Sequence, residues 1–134
     1  PIEKVYAYGN VFDAYVFTSE LIKFAKNSVI LIDNYIDETV FTLLDKRAEG
    51  VSAKIYTSHR CYSSEQLQLD IQRHNQQYPE ITILDYGNRV HDRFLIIDDE
   101  VYHFGASLKD LGKKVCAVMK MEESKETILG IIEN

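Results

Sequence analysis

The chain alternates between two kinds of hydrophobic pattern, and the alternation is regular enough to predict an order of elements. Apolar positions Val16, Phe17, Leu21, Phe24 and Ala25 recur at helical spacing behind Asp13, a good N-cap, and predict a helix over residues 13–27. The continuous β-branched run over 28–33 predicts a strand covered on both faces. A second helix is expected over 37–49, with Val40, Phe41, Leu43 and Leu44 inward and Gly50 as its stop, followed by a strand over 51–57. Residues 58–64 read as a polar loop, and 64–76 as a helix with a thinner stripe of Leu67, Leu69 and Ile71. Beyond Pro79 come a strand over 81–84 and a hairpin of 93–97 with 101–104 across Asp98-Asp99-Glu100, which lacks the glycine of a strong two-residue turn. A strand over 115–119, a helix over 122–132 and a short edge strand over 5–8 complete the reading. Strands that first alternate with helices and then follow one another predict an α/β fold, a mixed sheet with helices on both faces.

Within that pattern one stretch carries chemistry. His91 and Arg93 stand two residues apart, so on a strand they project to one face while Phe94 to Ile97 anchor the strand in the core. A neutral imidazole is basic enough to attack phosphorus, and a guanidinium holds phosphate oxygens in bidentate fashion without losing its charge. Asp98 closes the apolar run, and Gly105-Ala106-Ser107 follows after the hairpin as a small-residue turn, with Lys109 two residues beyond Ser107. Asn34 and Tyr35 follow the strand ending at Asp33, at the carboxyl end where ligands gather in open α/β sheets. Without further context, His91 and Arg93 also read as surface residues paired with Asp92 and Asp98.

The spacing His91-x-Arg93 with Asp98 resembles the HxKxxxxD motif of the phospholipase D superfamily, with arginine in the lysine position. Gly105 stands where the family has glycine, Ala106 where it has serine and Leu108 where it has asparagine; the strands over 28–33 and 50–56 match those that precede the motif. The domain looks most like the phospholipase-D-like part found behind phage-antirepressor-type DNA-binding domains. The resemblance implies a phosphodiesterase or nuclease-type domain in which His91 attacks phosphorus, Arg93 clamps the phosphate and Asp98 orients polar groups, with Gly105 and Ser107 near the phosphate; by their positions Lys109 and Asn34 are candidate phosphate contacts as well. It also implies two histidines per reaction, and the chain carries a single element of this kind. His59 and His74 are expected in a loop and on a polar helix face, and His103 has no basic residue at i+2. A symmetric homodimer would restore the pair. The alternative is a catalytically impaired module that binds phosphate or nucleic acid, or dimerises, beside a DNA-binding domain.

Composition narrows the surroundings. The 134 residues, 46% of them hydrophobic, are enough for one domain with a proper core, spanning 1–134. A chain that begins at proline fits either a fragment of a longer protein or a small protein without its initiator methionine. The net charge of −6 weighs against a surface that grips long nucleic acid by counterion release alone, so phosphate binding is expected to be local. The residues Arg89, Arg93, Lys109, Lys113, Lys114 and Lys120 are interleaved with acids, a mixed patch. Cys61 and Cys116 lack metal or redox spacing and are expected as reduced thiols. No metal, no cofactor, no membrane contact and a cytoplasmic location are the expectations, with nucleic acid or another phosphodiester as the partner.

Overall fold

The computed structural model describes the backbone of residues 3–6 and, with side chains, residues 9–87, 90–111, 113 and 116–133. Of the expected elements and charges, Ala7, Tyr8, Arg89, Lys114 and Val115 lie outside the described residues. The elements are β1 (Glu3–Tyr6), α1 (Val11–Phe24), β2 (Ser28–Ile32), α2 (Glu38–Leu44), β3 (Ser52–Thr57), α3 (His59–Tyr62), α4 (Glu65–Gln77), β4 (Ile81–Asp85), β5 (Arg93–Ile97), β6 (Glu100–Phe104), β7 (Cys116–Met121) and α5 (Lys125–Glu133). One seven-stranded sheet runs β1-β7-β6-β5-β2-β3-β4. β2, β3 and β4 are parallel, and β5, β6, β7 and β1 join by antiparallel pairing.

Alternation along the strands divides the core in two. Val29, Leu31, Ile55, Leu95 and Ile97 face one side, where α1, α2 and α4 supply Ile22, Val40, Leu44 and Leu67. Ile30, Ile32, Phe94, Ile96 and Val101 face the other, where α5 supplies Ile128 and Ile132. The mixed sheet with helices on both faces is therefore what the chain adopts. Leu95 and Ile96 are fully buried on opposite faces, each contributing roughly 1.5–3 kcal/mol by area. This is the anchoring expected of the run after Arg93.

Several boundaries differ from expectation for local reasons. α1 begins at Val11, not Asp13, and buries Ala14, Thr18, Ser19, Leu21 and Ile22, whereas Phe12, Val16 and Phe24 form an outward stripe at four-residue spacing. Of the expected positions Leu21 and Ala25 are buried and Phe17 packs against the core, while Val16 and Phe24 point outward; the small inner residues Ala14, Thr18 and Ser19 carry little hydrophobic signal. α2 starts behind Asp37, whose carboxylate accepts the Thr39 N–H at 3.0 Å, but stops at Leu44. There the buried Arg47 donates to the Leu44 carbonyl at 3.1 Å and the Val51 carbonyl at 2.8 Å, ending the helix ahead of Gly50. The loop expected over 58–64 holds the short α3, capped by Ser58. On α4 only Leu67 is buried among the expected stripe, and His74 is not on a solvated face. Its Nε2 lies 2.8 Å from the Asp45 carboxylate, and its ring stacks on Tyr78.

Asp98 lies at the far end of β5 from His91. It takes a left-handed conformation, φ 55°, in the two-residue turn before β6, the role a glycine would usually fill. Its carboxylate accepts the backbone N–H groups of Lys26, Asn27 and Ser28 at 2.7–3.2 Å, tying the α1–β2 connection to the hairpin. These donors hold its carboxyl below the ordinary carboxylate range. A lowered folded value contributes stability above the unfolded pKa of about 3.9, and the contribution disappears as pH falls through the folded value. Asp98→Ala is expected to cost about 1–2 kcal/mol in urea denaturation at neutral pH, with solvent screening keeping it at that level. Asp98→Gly, which relieves the left-handed backbone, is expected to cost less. The gap between Asp98→Ala and the parent should shrink as the buffer is taken into the acid range; a gap independent of pH would contradict this role.

Candidate active site

The parallel strands bring their carboxyl ends to one edge of the sheet, and the antiparallel arm adds the start of β5, the end of β6 and the start of β7 to that same edge. His91 precedes β5 there and is exposed. Arg93 opens β5 on the face of Leu95 and Ile97, one step beyond the Ile32–Phe94 pair, which sets it across from Asp33. Asp92 points to the opposite face, its carboxylate 3.6 Å from Nε2 of His103. β5 is a central strand, and neither Asp92 nor Asp98 neutralises Arg93. The half-buried Arg93 keeps a buried Nε that has no hydrogen-bond partner among the described residues.

A cleft of about 450 Å³ opens beside it, lined by Tyr35, Arg93, Gly105, Ala106, Ser107, Lys109, Asp110 and Lys113. Its floor is built around Asp33, a fully buried carboxylate at the end of β2. One oxygen accepts the Ser107 hydroxyl at 2.9 Å and the Tyr35 N–H at 3.0 Å; the other accepts the Leu108 N–H at 3.0 Å. Burial pushes the Asp33 carboxyl up from its ordinary value, opposed by those donors and by the nearby Arg93 charge. The turn after β6 is thus clamped onto the end of β2.

Several expected phosphate contacts are engaged elsewhere. The Ser107 hydroxyl proton goes to Asp33, which leaves its oxygen as an acceptor. Asn34 is buried: its amide donates to the Val90 carbonyl at 2.8 Å and its oxygen accepts from the Tyr86 hydroxyl, so it braces the approach to His91 and does not line the cleft. Lys109 does line the cleft, but its ammonium pairs with Asp110 at 3.1 Å, a contact that raises its pKa. Gly105 packs against β7: its N–H donates to the Ala117 carbonyl at 2.9 Å, and a Cβ there would lie 3.3 Å from that oxygen. Asp98 belongs to the opposite end of β5, roughly 17 Å away at strand rise, and takes no part in this edge. Tyr35 does line the cleft, as its place after β2 predicted. Asp33 is the residue that sequence reasoning passed over. Its signal was a carboxylate ending an otherwise apolar strand, where burial is costly unless donors converge on it.

Among the described residues no three or more histidine, cysteine or carboxylate side chains are grouped as a metal site, and no helix is long and apolar enough to cross a membrane. Cys61 and Cys116 are free thiols.

No protein-family model matches the chain, and no curated protein matches it by sequence. Solved structures do. NucT from Helicobacter pylori superposes with a TM-score of 0.66 at 16% identity, over 96% of this chain and 89% of that one. Nuc from Salmonella typhimurium, a phospholipase D family member, gives 0.65 at 18% identity, over 98% and 91%. TrmBL2, an archaeal chromatin protein that binds DNA, gives 0.51 at 18% identity, and 97% of this chain spans 49% of its length. At such identities the likeness is one of fold, and the chain has the mixed α/β fold of the phospholipase D family member Nuc.

Proposed function

We propose that the chain is a phospholipase-D-like phosphodiesterase of nuclease type, working as a homodimer through His91-x-Arg93. The observation that carries the reading is Arg93: a cation on a central strand, with its Nε unpartnered among the described residues, at the wall of a cleft whose other wall is a clamped small-residue turn, two positions from an exposed histidine. Arg93 holds the phosphate while His91 attacks phosphorus. The bond from phosphorus to the leaving oxygen breaks, and that oxygen takes a proton from His91 of a second copy across a two-fold axis. That second histidine, now neutral, takes a proton from water as the water oxygen displaces His91 from phosphorus. Nucleic acid suits the site better than lipid, because the cleft is lined mainly by charged and polar side chains.

A second reading, binding without turnover, is favoured by the engagement of Ser107 with Asp33 and of Lys109 with Asp110. In it the domain is a phosphate-binding or dimerisation module for an attached DNA-binding domain of the phage-antirepressor type. Light scattering and cleavage of bis(p-nitrophenyl) phosphate with and without EDTA test the proposal. The expected outcome is a dimer whose hydrolysis survives chelation, since nucleophile and clamp are both side chains. A monomer at high concentration, or activity abolished by EDTA and restored by added metal, would overturn the homodimeric, metal-independent mechanism. A dimer that binds oligonucleotide and does not hydrolyse would favour the second reading.

A further inference from the structure

The same edge of the sheet carries a second built histidine that the proposed reaction does not use. Nδ1 of His59, at the start of α3, lies 2.6 Å from Oδ2 of Asp85 at the end of β4. Asp85 is itself fixed, its other oxygen accepting the Gly87 N–H at 2.9 Å. The carboxylate therefore sets the ring orientation and leaves Nε2 as the free nitrogen of a side chain that is 70% exposed. Arg60, the next residue, is exposed, and its guanidinium makes no hydrogen bond or ion pair among the described residues. The pair is coupled to the candidate site through Ser58, whose hydroxyl donates to the Asn34 carbonyl at 2.9 Å, and through Asn34, whose amide holds the Val90 carbonyl beside His91.

We infer that His59, held by Asp85 and assisted by Arg60, binds a flanking phosphate of a polynucleotide whose scissile phosphate sits at Arg93. The inference rests on the phosphodiesterase or phosphate-binding reading of that site. His91 precedes β5 and His59 follows β3, with β2 between them, so two strand spacings, roughly 10 Å, separate their backbones. That is about three nucleotide steps at the ~3.4 Å rise of a stacked strand. A protonated ring donates from Nε2 to a phosphate oxygen, and the adjacent guanidinium supplies charge in a chain that is acidic overall. A strand lying across the ends of β5, β2, β3 and β4 meets a cation at each end of its path. The preferred ligand is then a chain of several phosphodiesters. A lone diester, as in a phospholipid, reaches only Arg93.

The test compares a dinucleoside monophosphate with an oligothymidylate of about ten residues, a length that spans a single-strand site. The double variant His59→Ala/Arg60→Ala changes only exposed side chains, and its fold is checked by circular dichroism. It is expected to lose about tenfold in oligothymidylate affinity, with a shallower salt dependence, while its affinity for the dinucleoside monophosphate stays at the parent's value. Asp85→Asn should show part of the same loss. Unchanged oligothymidylate affinity, or an equal loss for both ligands, would overturn the subsite. If Arg93→Ala weakens both ligands and the double variant weakens neither, the subsite fails alone. A parent that binds neither ligand overturns the phosphate site and the subsite together.

Discussion

His91→Ala is expected to reduce phosphodiester hydrolysis to the background rate while leaving oligonucleotide binding within a few-fold of the parent. Arg93→Ala is expected to damage both. The difference follows from the roles the proposed mechanism gives each group. Under the proposed mechanism His91 supplies the bond to phosphorus, so its loss removes the covalent route. Under the same proposal Arg93 contacts the phosphate in ground and transition states alike. Its loss should cost about 1.5–3 kcal/mol of binding, or roughly 10- to 150-fold, with a further fall in turnover as charge builds on the phosphate oxygens. Arg93→Lys is the informative third variant. It restores the lysine of the motif that this stretch resembles, and a lysine ammonium places a point charge where the guanidinium places a planar fork. Under the enzyme reading it should retain binding and raise the turnover number. Single-turnover cleavage of a labelled oligonucleotide, alongside fluorescence anisotropy for binding, separates these cases. His91→Ala with undiminished hydrolysis would remove His91 from the chemistry.

The parts of this molecule that sequence made legible are those whose signal is local and one-dimensional. The apolar run over 28–33 and the run behind Arg93 are strands because each stands in the middle of the sheet with both faces covered, and such strands read as continuous hydrophobic stretches. Arg93 lies on the face of Leu95 and Ile97, the one that the cleft opens on, as strand periodicity predicted, whereas His91 precedes the first residue of β5 and is not among the residues that line the cleft. What sequence did not reveal depends on partners distant in the chain. Asp98 falls at the motif's spacing, yet its carboxylate serves the α1–β2 connection, about 70 residues earlier, at the other end of the strand. Asn34 and Ser107 carry the right groups beside the right strands, but the Asn34 amide donates to the Val90 carbonyl and the Ser107 hydroxyl to the buried Asp33. His74 stands in a polar sequence on α4 and is nevertheless buried, because Asp45, Phe41 and Tyr78 enclose it. No periodicity records such contacts.

Asp33 gives the second large effect, and its sign differs between stability and binding. Asp33→Ala leaves the Ser107 hydroxyl and the Leu108 and Tyr35 N–H groups without their acceptor. At about 1–3 kcal/mol per buried orphan, with Tyr35 nearer the surface, a loss of about 3–5 kcal/mol in urea denaturation is expected. Asp33→Asn keeps the shape. Its oxygen can still accept the Leu108 N–H while its amide donates to the Ser107 oxygen, which strands only the Tyr35 N–H, so the cost should fall to about 1–2 kcal/mol. Burial raises the folded pKa of Asp33, so the folded state holds this proton more tightly than the unfolded chain does. Its contribution to stability is greatest below the unfolded pKa and declines as pH rises through the folded value, the reverse of Asp98. The cost of Asp33→Asn should accordingly be smaller at neutral pH than in mild acid. Binding moves the other way. Asp33 places a negative charge beside Arg93, and the asparagine variant removes it while keeping the turn in place, so inorganic phosphate should bind Asp33→Asn several-fold more tightly than the parent. A variant as stable as the parent that binds phosphate no better would mean that Asp33 neither clamps the turn nor tempers the charge of Arg93.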